Sequence, residues 1–121
     1  MSLLESGENY LEAILMVKEK KESVHAIDIV NELNFSKPSV SIMLKKLKEE
    51  EYINIDDHGN ITLTKAGLDI AEKIYERHKL LTNLLIKIGV SPDVAEDDAC
   101  KIEHDLSNET FEAIKKVVNK F

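Results

Sequence analysis

Apolar residues recur at helical spacing in three segments of the first 50 positions. The spacing predicts helices at about residues 8–20, 26–33 and 37–50. Ser36 is a suitable N-cap for the third helix, and Pro38 lies in its first turn, where a missing N–H costs little. Only a short turn separates the second helix from the third, and this arrangement is typical of a helix-turn-helix motif.

The hydrophobic pattern changes its period after the third helix. Ile53 and Ile55 alternate with polar residues, and so do Ile61 and Leu63. Residues 57–60, Asp-His-Gly-Asn, lie between the two short runs and form a good hairpin turn. A β-hairpin directly after a helix-turn-helix predicts a winged helix.

Three more helices are predicted after the hairpin. The first is capped by Thr64 and ends near Ile88, with Gly89 as its stop. Ser91 opens the second of these helices and Ser107 caps the third. The predicted order is therefore helix, helix, turn, helix, hairpin and three further helices.

This order predicts a mainly α fold with two domains. We expect a winged helix-turn-helix DNA-binding domain of three helices and a β-hairpin wing over residues 1–70. A second domain of three helices is expected over residues 71–121. The last two helices carry more apolar positions than one packed layer needs, which favours a homodimer with two-fold symmetry.

The outward face of the third helix is the candidate DNA-binding surface. Short hydroxyl side chains can approach base edges or phosphates, an exposed isoleucine can contact a thymine methyl, and lysines can bind phosphates. An ordinary solvated helix face is the alternative interpretation for any single lysine. The candidate DNA-binding residues are Lys37, Pro38, Ser39, Ser41, Ile42, Lys45 and Lys46.

Charge does not mark either half of the chain as basic. The 121 residues have a net charge of −7. Residues 1–65 hold 8 basic and 12 acidic side chains, a net charge of −4, and residues 66–121 hold 8 and 11, a net charge of −3. DNA binding must therefore depend on a local basic surface and be sensitive to salt.

The single cysteine and the absence of long apolar runs indicate the compartment. One cysteine cannot form an intrachain disulfide, which fits a reducing cytoplasm. No run of about 18 apolar residues and no secretory leader are present, so we expect no membrane association.

The second half of the chain contains a candidate metal site. Cys100, Glu103 and His104 are spaced i, i+3, i+4 on a predicted helix, where they can converge on one ion. His78 lies on the apolar face of the long helix, although a lone histidine there is more often a satisfied core residue. Mixed oxygen, nitrogen and sulfur donors suit Fe(II), Mn(II), Co(II) or Zn(II) better than calcium.

Two other functional classes fit parts of this pattern. One is a metal-independent winged-helix regulator that senses oxidation through Cys100 or binds a small organic ligand. The other is a metalloenzyme in which Glu103 and His104 hold a hydrolytic metal. No paired acid and base are evident in the sequence, so we do not expect an enzyme.

The sequence resembles the iron-dependent repressor family over nearly its whole length. The resemblance implies a homodimer that represses transcription by binding palindromic operator DNA when loaded with Mn(II) or Fe(II), while Co, Ni or Zn can bind in vitro. It also implies that this chain lacks the SH3-like domain of the iron-responsive branch. The motifs that carry the resemblance lie at residues 8–14, 36–41, 63–67, 77–81 and 102–107.

The resemblance also implies a set of metal ligands. His78, Glu103 and His104 match ligand positions throughout the family, and Cys100 is similar to the iron-responsive branch. Glu12 is similar to the manganese-responsive branch. Asn9 is a further candidate, at a position where the family usually has Asp or Met. The resemblance implies that one ion bonded to both the first helix and the later helices sets the angle of the recognition helices.

Overall fold

The computed structural model describes residues 5–120 and confirms the predicted order of elements and the mainly helical fold class. The first four residues and Phe121 lie outside the described part. The elements are α1 (Glu5–Lys20), α2 (Ala26–Leu33), α3 (Lys37–Glu49), β1 (Ile53–Ile55), β2 (Ile61–Leu63), α4 (Lys65–Lys87), α5 (Pro92–Ile102) and α6 (Asn108–Val118).

The main difference from the predicted boundaries is the end of α5. The expectation that Cys100, Glu103 and His104 share one helix is wrong, because α5 ends at Ile102. Glu103 is the C-cap and keeps right-handed helical angles, φ −56° and ψ −27°, and its N–H donates to Ala99 O. The chain then turns towards α6, so His104 lies in a turn and not on the helix.

The chain divides into two compact units after Glu72, within α4. The first unit has a continuous hydrophobic core to which α1, α2, α3, both strands and the start of α4 contribute. The buried apolar residues of this core are Tyr10, Leu11, Ala13, Ile14, Val17, Val24, Ile29, Val40, Leu44, Leu47, Ile53, Ile61 and Ala71.

The turn between α2 and α3 uses local backbone chemistry. Asn34 is the C-cap of α2 and has left-handed angles, φ 58° and ψ 39°, which asparagine tolerates better than most residues. The Ser36 hydroxyl oxygen accepts a hydrogen bond of 3.3 Å from Ser39 N–H, which confirms Ser36 as the N-cap of α3. The start of α3 is therefore fixed by its own sequence.

The wing is a two-stranded antiparallel hairpin in which Ile53 pairs with Leu63. Its turn is ordered by Asp56, whose carboxylate accepts backbone N–H bonds from His58 and Asn60, both 2.9 Å long. The Asn60 N–H bond is the main reason that the pKa of Asp56 lies below its usual value.

The hairpin is also attached to the segment that precedes α2. Ile61 N–H donates to Val24 O at 2.8 Å, and Val24 N–H donates to the Asn60 side chain at 3.2 Å. Val24 itself is fully buried. These two hydrogen bonds connect the wing to the helical part of the first unit.

The second unit consists of the rest of α4 together with α5 and α6. Ser107 caps α6 by accepting a 3.1 Å hydrogen bond from Thr110 N–H. Within the described part of the chain, every helix is too short or too polar to cross a membrane. The buried apolar residues of this unit are Ile74, Leu81, Ala95, Ala99, Phe111 and Val118.

Gly67 marks a close approach between the start of α4 and the segment that joins α3 to β1. A Cβ atom at this position would lie 2.1 Å from the carbonyl oxygen of Tyr52, far inside van der Waals contact. Thr64 holds the same region, because its hydroxyl donates to Glu51 O at 2.8 Å and accepts from Gly67 N–H at 3.2 Å. Only glycine therefore fits the observed backbone at residue 67.

We predict that Gly67→Ala lowers the free energy of unfolding by about 1–3 kcal/mol, because the added methyl group overpacks a fixed backbone contact. Helix propensity alone predicts the opposite sign, a gain of up to about 1 kcal/mol. Urea denaturation measures the change, and Ala66→Ser at the exposed neighbouring position is the control. An unchanged or higher stability of Gly67→Ala would disprove the close contact.

Candidate metal centre and DNA-binding surface

The exposed face of α3 carries every residue that the sequence assigns to DNA binding. Val40, Leu44 and Leu47 are buried on its opposite face, whereas Met43 is only partly buried. The inward stripe therefore fixes which residues point to solvent. Those that do so are Lys37, Pro38, Ser39, Ser41, Ile42, Lys45 and Lys46.

This helix is locally basic although the chain as a whole is acidic. Its 13 residues, KPSVSIMLKKLKE, contain four lysines and one glutamate. Lys45 and Lys46 are adjacent and exposed, and Lys48 adds a further positive charge that the sequence analysis did not single out. An acidic chain needs a locally basic surface to bind DNA, and α3 provides one.

An apolar groove lies beside the lysines of α3. Ile42 is 71% exposed and Phe35 is 45% exposed, which is unusual for such large hydrophobic side chains. The Phe35 ring packs against the Tyr10 ring with centroids 6.0 Å apart. Both aromatic residues line the groove together with Ile42 and Lys46. Phe35 was not among the residues predicted to bind DNA, although it lines this surface.

The candidate metal centre of the second unit is built around Glu103. This side chain is completely buried, although it is charged at neutral pH in water. One carboxylate oxygen lies 2.9 Å from Nδ1 of His78, and the other lies 3.3 Å from Nε2 of His104. The structure thus brings together three of the predicted ligands, one from α4 and two from the turn after α5.

The donor set fits a divalent transition metal. Two imidazoles and one carboxylate offer borderline nitrogen and hard oxygen donors, which suit Mn(II) and Fe(II). The His78 and His104 side chains are 13% and 2% exposed, so an ion there would be largely shielded from water. Glu96 lies further out, with Oε1 4.0 Å from His78 Nε2, and its side chain is mostly exposed.

The remaining predicted ligands have different surroundings. Cys100 is exposed on α5. Glu12 is buried and Asn9 is half-buried, and both belong to α1 in the first unit. The roles of these three residues as ligands stay predictions.

Arg77 is a residue of this centre that the sequence analysis missed as a functional residue. It is buried, and its Nη1 donates hydrogen bonds to the carbonyl oxygens of Glu103 and Leu106, at 3.1 Å and 3.0 Å. The helical spacing contains a signal for it, because Arg77 follows Ile74 by three residues and precedes Leu81 by four. An arginine in the middle of a buried stripe indicates a specific partner.

Comparison with known proteins identifies relatives of similar length. The chain is 36% identical over 119 residues to an uncharacterized HTH-type transcriptional regulator of Methanocaldococcus jannaschii, with 97% of this chain and 95% of the relative covered. It is 35% identical over 116 residues to the HTH-type transcriptional regulator MntR of Listeria monocytogenes, with 96% and 82% covered.

Solved structures show the same fold. The manganese regulator SloR superposes with a TM-score of 0.83 at 29% identity, covering 98% of this chain and 55% of that chain. A manganese-dependent transcriptional repressor in complex with manganese gives a TM-score of 0.84 at 27% identity, covering 93% and 52%. The chain thus spans about half the length of these two structures.

Two family models match consecutive parts of the sequence. The model described as the N-terminal DNA-binding domain of the iron-dependent repressors matches residues 2–59. The model described as their metal-binding and dimerisation domain matches residues 64–121. These are transcription regulators, which excludes the enzyme interpretation. On the strength of these matches, the chain belongs to the iron-dependent repressor family.

Proposed function

We propose that this protein is a metal-activated transcriptional repressor that binds palindromic operator DNA as a homodimer in the cytoplasm. The observation that carries the proposal is the buried Glu103 carboxylate between two imidazoles, in a chain that also presents an exposed basic helix. In this proposal, residues 1–70 bind DNA, and residues 71–121 bind the metal and form the dimer.

The metal is held mainly by residues that already lie together. His78, Glu103 and His104 supply two nitrogen donors and one oxygen donor. Glu12, Cys100 and Asn9 are the further candidates, and they come from the family resemblance. Mn(II) or Fe(II) is the proposed activating ion, because the grouped donors are oxygen and nitrogen; Co, Ni or Zn can bind the same donors in vitro.

Metal acts as a corepressor by changing the population of the DNA-binding form. Without an ion, the neighbours that compensate the buried carboxylate include two imidazoles. A bound cation supplies that compensation and favours one arrangement of the turn after α5 and of α4. Only the fraction of molecules in the DNA-binding arrangement then contributes to operator affinity, so an ion that raises this fraction raises the affinity.

Recognition depends on α3. Its lysines contact phosphates and fix the register of the helix on the duplex, while Ser39, Ser41 and Ile42 face the base edges of the major groove. The wing contributes less, because the Asp56 carboxylate already binds the turn N–H groups and Asp57 adds a second negative charge. Two-fold symmetry presents two such helices to successive major grooves.

We predict that operator affinity in saturating Mn(II), or in Fe(II) under anaerobic conditions, exceeds the affinity in chelator by about 5–150-fold, a typical range for coupled sites. Glu103→Gln keeps the shape of the side chain and removes its charge, so it should abolish this difference. Glu109→Gln, at an exposed position of α6, is the matched control and should retain it.

Fluorescence anisotropy with labelled operator DNA measures both affinities, and circular dichroism checks that each variant is folded. Equal affinities with and without metal in the unmodified protein would show that it is not metal-activated. The metal-independent regulator would then be the better interpretation.

We predict that Lys45→Ala weakens binding to all DNA sequences and reduces the slope of log K against log salt by about one unit, because one phosphate contact is lost. Lys73→Ala removes the same charge from an exposed position on α4 and should change the slope little. Ile42→Ala should instead change the preference among operator sequences. If Lys45→Ala matches the Lys73→Ala control, the assigned DNA-binding face is wrong.

A further inference from the structure

Arg77 is a buried cation that binds backbone and an aromatic ring. Its exposed fraction is 6%. Nη1 donates to Glu103 O and Leu106 O, and the guanidinium carbon lies 5.1 Å from the centroid of the Phe111 ring. Its Nε atom is buried and has no hydrogen-bond partner among the described residues. Burying a charge in this way is costly, so the contacts it makes indicate a specific task.

The two carbonyl groups that Arg77 binds belong to the turn between α5 and α6. A helix end leaves its last carbonyls without partners inside the helix, and here the chain has only residues 103–106 before the Ser107 cap of α6. A guanidinium has several donors in a rigid fork, and in this case one nitrogen reaches both oxygens. Arg77 therefore sets the path of this turn.

The same turn carries two side chains of the proposed metal centre. Glu103 is bound twice by consecutive residues of α4, because Arg77 binds its backbone carbonyl and His78 approaches its carboxylate. In the sequence, His104 lies between Glu103 and Leu106, whose carbonyl oxygens accept the hydrogen bonds from Arg77. A change in the position of the turn would therefore move both the carboxylate and the second imidazole relative to His78.

We infer that Arg77 is a positioning residue for the metal centre. It holds residues 103–106 so that the Glu103 carboxylate lies beside His78, and the His104 imidazole beside that carboxylate, before an ion binds. This inference rests on the proposed function, since it assumes that these three side chains bind the ion. The Arg77 charge opposes a nearby cation, so its contribution to affinity comes from geometry and not from electrostatic attraction.

The test is a Mn(II) titration of purified protein, with free Mn(II) followed by electron paramagnetic resonance. Arg77→Met keeps a long apolar side chain and loses both hydrogen bonds. We expect its Mn(II) affinity to fall by about 10–100-fold, the usual effect of losing a group that orients metal ligands. Arg77→Lys retains a donor but not the planar fork, so its affinity should lie between those of Arg77→Met and the unmodified protein.

Lys115→Met is the matched control. Lys115 on α6 pairs with Glu76 on α4 at 2.7 Å, next to Arg77 in sequence, but this ion pair is exposed and does not reach the turn. Loss of this ion pair also removes a contact between α4 and α6, the helices that the Arg77–Phe111 contact joins. Affinity for Mn(II) should therefore change less than about twofold in this variant, as expected for an exposed ion pair.

Amide hydrogen exchange of the metal-free protein gives a readout that does not depend on bound metal. Arg77→Met should accelerate exchange at residues 103–107 more than elsewhere in α4, α5 and α6. A purely structural role would accelerate exchange throughout these helices and leave the Mn(II) affinity of the folded protein unchanged. That result, or an affinity within twofold of the unmodified protein, would overturn the inference.

The two hypotheses fail in different ways. If the unmodified protein binds neither Mn(II) nor Fe(II), the proposed function fails and the inference falls with it. If the unmodified protein binds Mn(II) and Arg77→Met binds it equally well, only the inference fails. If Arg77→Met does not fold, the same measurements on Arg77→Lys decide, with an affinity equal to that of the unmodified protein counting against the inference.

Discussion

The buried carboxylate of Glu103 is the constraint on which the second unit depends. Moving a carboxylate out of water costs several kcal/mol even after relaxation, unless charge and hydrogen bonds compensate. Here both oxygens face imidazole nitrogens, and the backbone that carries them is held by a guanidinium. The turn after α5 is therefore a cluster of interdependent buried polar groups, and removing one member leaves the others with an unmatched buried group.

The first unit has the opposite design. Its core is apolar and continuous, and its caps and turns are satisfied by neighbouring residues such as Ser36 and Asp56. Its proposed DNA-binding surface consists of exposed side chains, which stay hydrated in the free protein and so have no desolvation cost there. Such a unit can hold its shape without a ligand, whereas the cluster around Glu103 has a composition that an ion would stabilise. The proposed metal site is therefore built from buried polar groups that need compensation. The proposed DNA-binding surface is built from hydrated groups that do not.

Sequence periodicity predicts most of the fold because the helices and strands are amphipathic and locally capped. Spacing adds Glu103 and His104 as candidate metal ligands, and His78 enters through the family resemblance; the structure places these three side chains close together. The sequence wrongly predicts Glu103 and His104 on the same helix as Cys100, because helix propensity does not indicate that the chain turns after Ile102. The spacing shows that Arg77 lies in a buried stripe, but it does not show the partners of Arg77 or the close contact at Gly67. Those contacts are with the backbone of Leu106 and Tyr52, which are distant in the sequence.

The clustering of four lysines on α3, in a chain that is acidic overall, has a consequence for how such a protein is distributed in a cell. Non-specific attraction to DNA grows with the number of phosphates that basic groups neutralise. If α3 faces DNA as proposed, a chain of net charge −7 gains little attraction to random duplex from this one basic helix, and the carboxylates of the wing oppose binding to the phosphates. Most copies would therefore stay off bulk DNA and reach their sites by diffusion through solution more than by sliding. Occupancy of an operator then follows the concentration of the activated form closely, with little protein stored elsewhere on the chromosome.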